Sequence, residues 1–165
     1  MPRPLVHVFC DGACSPNPGW GGWAAVLIAP QHGNHRRELS GAEPDSTNNR
    51  MELMGAIMAL RALKQPCEVV LHTDSTYVHN AFQRGWLRRW EKNGWVTAEN
   101  KPVANVDLWT DLKELSAIHQ VEWVWVRGHG TNVEHNRCDA LAVEARLALA
   151  AAAEARLEQV AGERL

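Results

Sequence analysis

Four acids separated widely along the chain, Asp11, Glu52, Asp74 and Asp139, are the residues whose type and setting could do chemistry together. Asp11 interrupts the apolar stretch Phe9-Cys10-Asp11-Gly12-Ala13, and a lone carboxylate taken out of water is costly unless it is paired or bound to metal. Hard divalent cations seek oxygen ligands, and Mg²⁺ keeps several waters while taking few carboxylates per ion. Phosphodiester hydrolysis can employ two such ions about 4 Å apart, one activating water and one stabilising the departing oxygen. Four carboxylates suit that arrangement. His129, held between Gly128 and Gly130, adds an imidazole, a group suited to moving a proton.

Each of these residues also has an ordinary structural explanation. Asp11 can be a turn acid at a strand end. Asn49-Arg50-Met51-Glu52 has the spacing of a capping box, with Glu52 reaching back to the cap. Asp74 can cap the helix that follows it, Asp139 can be a surface acid near His135, and His129 can be a solvent-facing loop histidine. Taken singly, none is decisive. Their joint presence carries more weight, because an acidic cluster without metal repels itself and titrates as a coupled set.

The elements that must position these groups can be read from periodicity. Leu5 to Phe9 alternates as a strand, the Pro16-Asn17-Pro18-Gly19 cluster breaks the chain, and Trp23 to Ile28 is a second strand. Pro30 to Asn34 is turn-like, and Arg36 to Leu39 can return antiparallel to the second strand. From Asn48 the apolar period becomes helical through Met51, Met54, Ile57, Met58 and Leu60 as far as Leu63, with Pro66 beyond. On that helix Glu52 shares a side with Gly55, Ala56 and Ala59, small residues that allow close approach to a sheet.

Glu68 to Thr73 is a buried-type strand, and a helix begins near Thr76, capped by Asp74 or Ser75. A short helix and loop cover Trp86 to Trp95, a helix runs from about Val106 to Ala117, and Val121 to Val126 alternates as a strand. A final helix carries Asp139. The result is an α/β fold with a mixed sheet covered on both faces, in which ligands bind beyond strand ends near a topological switch. Asp11 and Asp74 both fall late in a strand or just after one. Residues 1–147 form one domain, and 148–165 is an Ala-rich helical extension or a tail that frays beyond Gly162.

Composition narrows the setting. The chain of 165 residues is 45% hydrophobic and 22% charged, as expected of one globular domain with a real core. The short apolar run near Met1 is neither a secretory core nor a membrane span. Cys10, Cys14, Cys67 and Cys138 form no CxxC pair and read as reduced, which points to the cytoplasm. A net charge of −2 is not that of a general polyanion binder, but Arg84, Arg88, Arg89, Lys92 and Lys101 face only Glu91 and Glu99 in their segment, so the molecule is polarised.

Taken in order, Asp11-Gly12-Ala13-Cys14-Ser15-Pro16-Asn17-Pro18-Gly19, Thr47-Asn48-Asn49-Arg50-Met51-Glu52-Leu53, Thr73-Asp74-Ser75-Thr76-Tyr77-Val78, Gly128-His129-Gly130 and Asn136-Arg137-Cys138-Asp139-Ala140-Leu141-Ala142 closely resemble bacterial type 1 ribonuclease H. The resemblance implies a five-stranded mixed sheet, three antiparallel strands followed by parallel ones, flanked by helices on both faces. It implies hydrolysis of the RNA strand of RNA/DNA hybrids with Mg²⁺, or Mn²⁺ in its place, leaving 5′-phosphate and 3′-hydroxyl ends. By the same resemblance Asp11, Glu52, Asp74 and Asp139 are the metal-binding catalytic acids and His129 the mobile histidine. Cys14, Asn17, Asn48, Asn49 and Tyr77 match minor-groove contacts, and Thr47 with Asn17 would hold a DNA phosphate. Short polar groups suit the wide, shallow minor groove of an A-like RNA strand. Capping by Asn48 and Asn49 and core packing by Tyr77 remain alternatives.

Trp86 to Lys101 resembles the family's basic protrusion, in which Trp86, Arg88, Arg89 and Lys92 would meet the hybrid. The other tryptophans, Trp90, Trp109 and Trp123, read as packing residues. The chain also departs from the family. Val96, Asn100 and Ala104 stand where strongly basic members carry lysines, which predicts a shallower salt dependence. Thr76, included among the substrate contacts, replaces a usual glutamine, and His135 occupies a position where asparagine is common. His135 either tunes a metal site or caps the last helix, and the cap is the preferred reading. A nuclease of the same fold acting on other substrates would lack the asparagine set, and a noncatalytic hybrid binder would be expected to lose an acid. A zinc site through His7, Cys10 and Cys14 fails because His7 and Cys10 face opposite sides of a strand, and one through His129, His135 and Cys138 lacks familiar zinc spacing. No membrane or small-molecule cofactor is expected, and the family implies a monomer.

Overall fold

The computed structural model describes residues 2–163. Strands β1 (Leu5–Ser15), β2 (Gly19–Ala29) and β3 (His35–Ser46) form an antiparallel meander. β4 (Glu68–Thr73) then pairs parallel with β1, and β5 (Gln120–Trp125) pairs parallel with β4, giving one sheet of order β3-β2-β1-β4-β5. The helices are α1 (Asn48–Arg61), α2 (Thr76–Gln83), α3 (Trp86–Asn93), α4 (Val106–Ile118) and α5 (Val133–Glu163). The expected five-stranded mixed sheet with helices on both faces is therefore present, with β1 as the strand at which pairing switches from antiparallel to parallel.

Alternation along β1 divides the core. Val6, Val8 and Cys10 face the larger cluster, where they meet Leu53, Ala56, Ile57 and Leu60 of α1 and Trp109 and Leu112 of α4. Phe9 and Ala13 face the other side, packing with Ala24 and Val26 of β2 against Cys138 and Ala142 of α5. The small side that Gly55, Ala56 and Ala59 give α1 does bring the helix close. A Cβ on Gly55 would lie 3.1 Å from the Ala24 carbonyl oxygen and 3.2 Å from that of Asp11. Trp109 and Trp123 are buried and Trp90 packs on the same core.

Several boundaries differ from the sequence reading, and β2 begins at Gly19 rather than Trp23. β1 continues six residues beyond Phe9, because Gly12, Ala13 and Cys14 pair with Trp23, Gly22 and Gly21; small residues carry no alternation to reveal them. β3 likewise extends past Leu39 to Ser46. Asp11 consequently lies inside β1, not at its end. The parallel ladder with β4 nevertheless stops at Phe9 opposite His72, so Asp11 stands where the two strands part. α1 ends at Arg61 rather than Leu63.

α5 is unbroken through Glu163, and its distal half is largely exposed, Leu157 included. Of the end expected to fray beyond Gly162, Glu163 is helical, and 164–165 lie outside the described residues. No helix among the described residues is long and apolar enough to cross a membrane.

Gly55→Val should force α1 away from β1 and β2 and lower stability by about 1–3 kcal/mol. Urea denaturation measures this, and an unchanged midpoint would show that the helix has room to spare.

Candidate active site

Each of the four acids arrives on a different element. Asp11 is 4% exposed and belongs to β1, with its Oδ1 accepting from the Gly12 N–H at 2.9 Å. Asp74 follows β4 directly, its backbone oxygen accepting from Trp125 Nε1 at 3.1 Å. Glu52 comes from α1 on one face of the sheet, and Asp139 from α5 on the other. All four line a polar cleft of about 350 Å³ together with Asn48, Asn49, Thr76, Tyr77 and His129.

The capping explanations for two acids are overturned. α1 is capped by Thr47, whose Oγ1 accepts from the Arg50 N–H at 3.1 Å, so Glu52 lies a full turn beyond the cap. Its Oε2 is sealed from solvent with no hydrogen-bond partner among the described residues. α2 is capped by Ser75, whose Oγ accepts from the Val78 N–H at 3.2 Å, which leaves the Asp74 carboxylate free for the cleft. Asp139 lies on the cleft rim, half-buried, 3.8 Å from Nδ1 of the exposed His129.

His135 requires a larger correction. It is not the cap of α5; Asn132 serves there, with its Oδ1 accepting from the His135 N–H at 2.9 Å. The ring is 1% exposed. Its Nε2 sits 3.7 Å from Asp74 Oδ1 and 3.9 Å from Asp11 Oδ1, close approaches that are longer than hydrogen bonds. Spacing contained the signal, since residues four apart share a helix face and His135 is four before Asp139. The preference for a cap hid it.

Electrostatics follow from this crowding. Burial, then the Asp74 charge, push the Asp11 carboxyl up to about 7. Burial and the neighbouring Asp11 and Asp74 hold Glu52 well above the usual carboxylate range. For Asp74 burial acts against ionisation, but the His135 ring outweighs it and its pKa is lowered. Burial also disfavours a charged His135, yet Asp74 and Asp11 prevail and raise it. Oxygens of Asp11 and Asp74 and a ring nitrogen of His135 lie within 4.8 Å of one another, so the donor set suits a divalent cation, as does the unpartnered Glu52 oxygen.

The remaining candidates fall into two groups. Asn17 accepts from the Asn48 N–H through its Oδ1 at 3.2 Å. Cys14 directs its thiol to the Pro16 and Ser46 carbonyl oxygens, both at 3.3 Å. Thr47 borders a neighbouring depression. Tyr77 packs on the core, with its hydroxyl oxygen accepting from Trp109 Nε1 at 3.0 Å and Asn105 Nδ2 at 3.3 Å. Trp86, Arg88, Arg89 and Lys92 stand apart on α3, where Trp86 and Arg89 line a separate groove. None of these three cations forms an ion pair among the described residues, whereas Glu91 is taken by Lys113 at 2.9 Å.

Sequence reasoning also missed how α5 is anchored. Cys138 Sγ donates to the Phe9 oxygen at 3.2 Å, and Arg36, Glu38, Glu134 and Arg137 form a chain of ion pairs between β3 and the start of α5.

An acidic cleft at the switch point of a mixed sheet, built to gather cations, defines a metal-dependent enzyme of the α/β class. A family model described as RNase H matches residues 3–146. The chain is 58% identical over 144 residues to the ribonuclease H of Moorella thermoacetica, covering 87% of this chain and 93% of that one. It is 56% identical over 146 residues to that of Symbiobacterium thermophilum, covering 88% and 95%. Among solved structures it is similar to LC9-RNase H1, a type 1 RNase H with the type 2 active-site motif, with a TM-score of 0.78, 32% identity, and coverage of 88% and 74%. The chain belongs to the ribonuclease H family and is a hydrolytic enzyme of that kind.

The acid cluster sets a pH dependence. Asp11 binds its proton more tightly folded than unfolded, so its contribution is present below about pH 4 and lost as pH rises through about 7; Glu52 acts in the same direction. In chelator, stability should fall by about 1–3 kcal/mol between pH 5 and 8, and Asp11→Asn should flatten the decline. Thermal unfolding across that range decides it, and a wild-type curve rising with pH would refute the arrangement of charges.

Proposed function

We propose that this enzyme hydrolyses the RNA strand of RNA/DNA hybrids by a two-metal-ion route, leaving 5′-phosphate and 3′-hydroxyl ends. The observation that carries the reading is the convergence of Asp11, Glu52, Asp74 and Asp139 on one cleft whose rim is lined by Asn48 and Asn49. Two Mg²⁺ ions held by these carboxylates, or Mn²⁺ in their place, would supply an activated water and charge neutralisation at the departing oxygen.

The chain's own groups do the rest. Asn48 and Asn49 present amides that can donate to and accept from a 2′-hydroxyl, the group that distinguishes RNA from DNA. Asn17, braced against the start of α1, and Thr47 hold the backbone of the DNA strand, with Cys14, Thr76 and Tyr77 completing the groove contacts. His129, exposed and within reach of Asp139, moves a proton between solvent and the cleft. Water attacks phosphorus, the bond from phosphorus to the 3′ oxygen breaks, and that oxygen takes a proton to leave as a hydroxyl.

Arg88, Arg89 and Lys92, without an ion-pair partner among the described residues, grip phosphates with Trp86 beside them. The active form is a cytoplasmic monomer needing no small-molecule cofactor, with residues 1–147 as the catalytic domain and 148–163 an extension carried by the distal part of α5.

Incubation with matched RNA/DNA, RNA/RNA and DNA/DNA duplexes should show cutting of the hybrid alone, dependent on divalent cation; equal cutting of all three would sink the substrate assignment. Asp11→Asn should lower turnover by more than about 10²–10³-fold while hybrid binding persists. Replacing Arg88 or Lys92 by alanine should weaken binding without changing sequence preference and reduce the salt slope by about 1 for each phosphate no longer neutralised. An unchanged slope would remove α3 from the interface.

A further inference from the structure

The family reading uses oxygen ligands only, yet the group most deeply enclosed beside them is an imidazole. His135 is 1% exposed, and both of its ring nitrogens lack hydrogen-bond partners among the described residues. A buried polar atom left without a partner is costly and calls for a reason. Its surroundings are built and fixed: Asn132 holds the backbone, and Cys138 and Ala142, on the same side of α5, are buried against β1 and β2.

We propose that His135 Nε2 is a direct ligand of the cation held by Asp11 and Asp74, and that this nitrogen shifts the preference of the site from Mg²⁺ toward Mn²⁺. The inference rests on the reading that these acids bind cations. Donors about 2.1 Å from a common octahedral ion lie about 3.0 Å apart when adjacent and about 4.2 Å apart when opposite. The separations from His135 Nε2, 3.7 Å to Asp74 and 3.9 Å to Asp11, fall between those limits, so the three donors can close on one ion with small adjustments. Mg²⁺ favours oxygen and gives up water reluctantly, whereas imidazole suits the transition metals. The ring would ligate in its neutral form, as metal-bound histidines do.

Mn²⁺ added to the full-length protein without nucleic acid provides the test, read by pulsed electron paramagnetic resonance for coupling to ¹⁴N. Wild-type protein should show the coupling, His129→Ala should retain it, and His135→Asn should lose it while still binding Mn²⁺. Calorimetry should show the ratio of Mn²⁺ to Mg²⁺ affinity falling about tenfold in His135→Asn. Bound Mn²⁺ without nitrogen coupling in the wild type would overturn the proposal alone. Absence of bound Mn²⁺, or binding indifferent to Asp11→Asn, would overturn it together with the carboxylate reading. Should His135→Asn fail to fold, the wild-type and His129→Ala spectra still decide.

Discussion

Mutual repulsion among carboxylates is the constraint on which the rest of this structure depends. Asp11, Glu52 and Asp74 crowd one cleft, and two of the three are held toward their protonated forms by burial and by their neighbours' charges. A fold tolerates such a cluster only if the elements carrying it cannot move apart. β1 is locked on both edges by ladders. α1 lies against backbone at Gly55, and α5 is tied to β1 through Cys138 and to β3 through Arg36 and Arg137. Exposed ion pairs contribute little individually, but a linked set spanning two elements fixes where α5 begins, and His135 and Asp139 follow within two turns.

The crevice exists because pairing changes at β1. Had β4 followed β1 along its whole length, the space above Phe9 and His72 would be filled by ladder. Instead the parallel pairing stops there while β1 continues with β2 as far as Ser15. Asp11 occupies the divergence, and Asp74 follows the end of the shorter strand. Gly128 completes the fit, since a Cβ there would collide with the Asp74 carboxylate. The acidic pole that results is set apart from the cations of α3, so the molecule carries chemistry at one place and anion-binding capacity at another. In the function proposed above, a polyanion bridging the two would be drawn by the latter and processed at the former.

Much of this was legible in the sequence, and the failures have physical causes. The helical period of α1, the run of β4 and the small side facing the sheet could be read directly, since burial imposes those patterns. The far halves of β1 and β3 could not, because Gly12 to Cys14 and Gly41 to Ser46 offer little hydrophobic alternation. For Glu52 and Asp74 the local grammar of caps was misleading: acids near helix starts usually serve the helix, and only the hydroxyls of Thr47 and Ser75 in those roles release the acids. His135 was ambiguous for the same reason. Its burial depends on β1 and β2 beneath α5, strands far from it in the sequence.

Ligands and proton carriers place opposite demands on their supports, and the groups proposed for the two roles are mounted accordingly. The acids and His135, the proposed ligands, sit on a strand, on long helices or on a residue whose backbone oxygen is bonded across to β5, a mounting that suits them because a metal site loses affinity when its donors wander. His129 lies in the loop before α5, at a φ of 54°, with 83% of its side chain exposed, a backbone region that histidine enters more readily than most residues. Asn136 ties the loop to α5 through the Gly130 oxygen, limiting how far the imidazole can stray while leaving its ring unpacked. A group that must take a proton at one moment and release it at another gains from that freedom. The same freedom given to Asp11 or Asp74 would let the charges relax into solvent and dissolve the site.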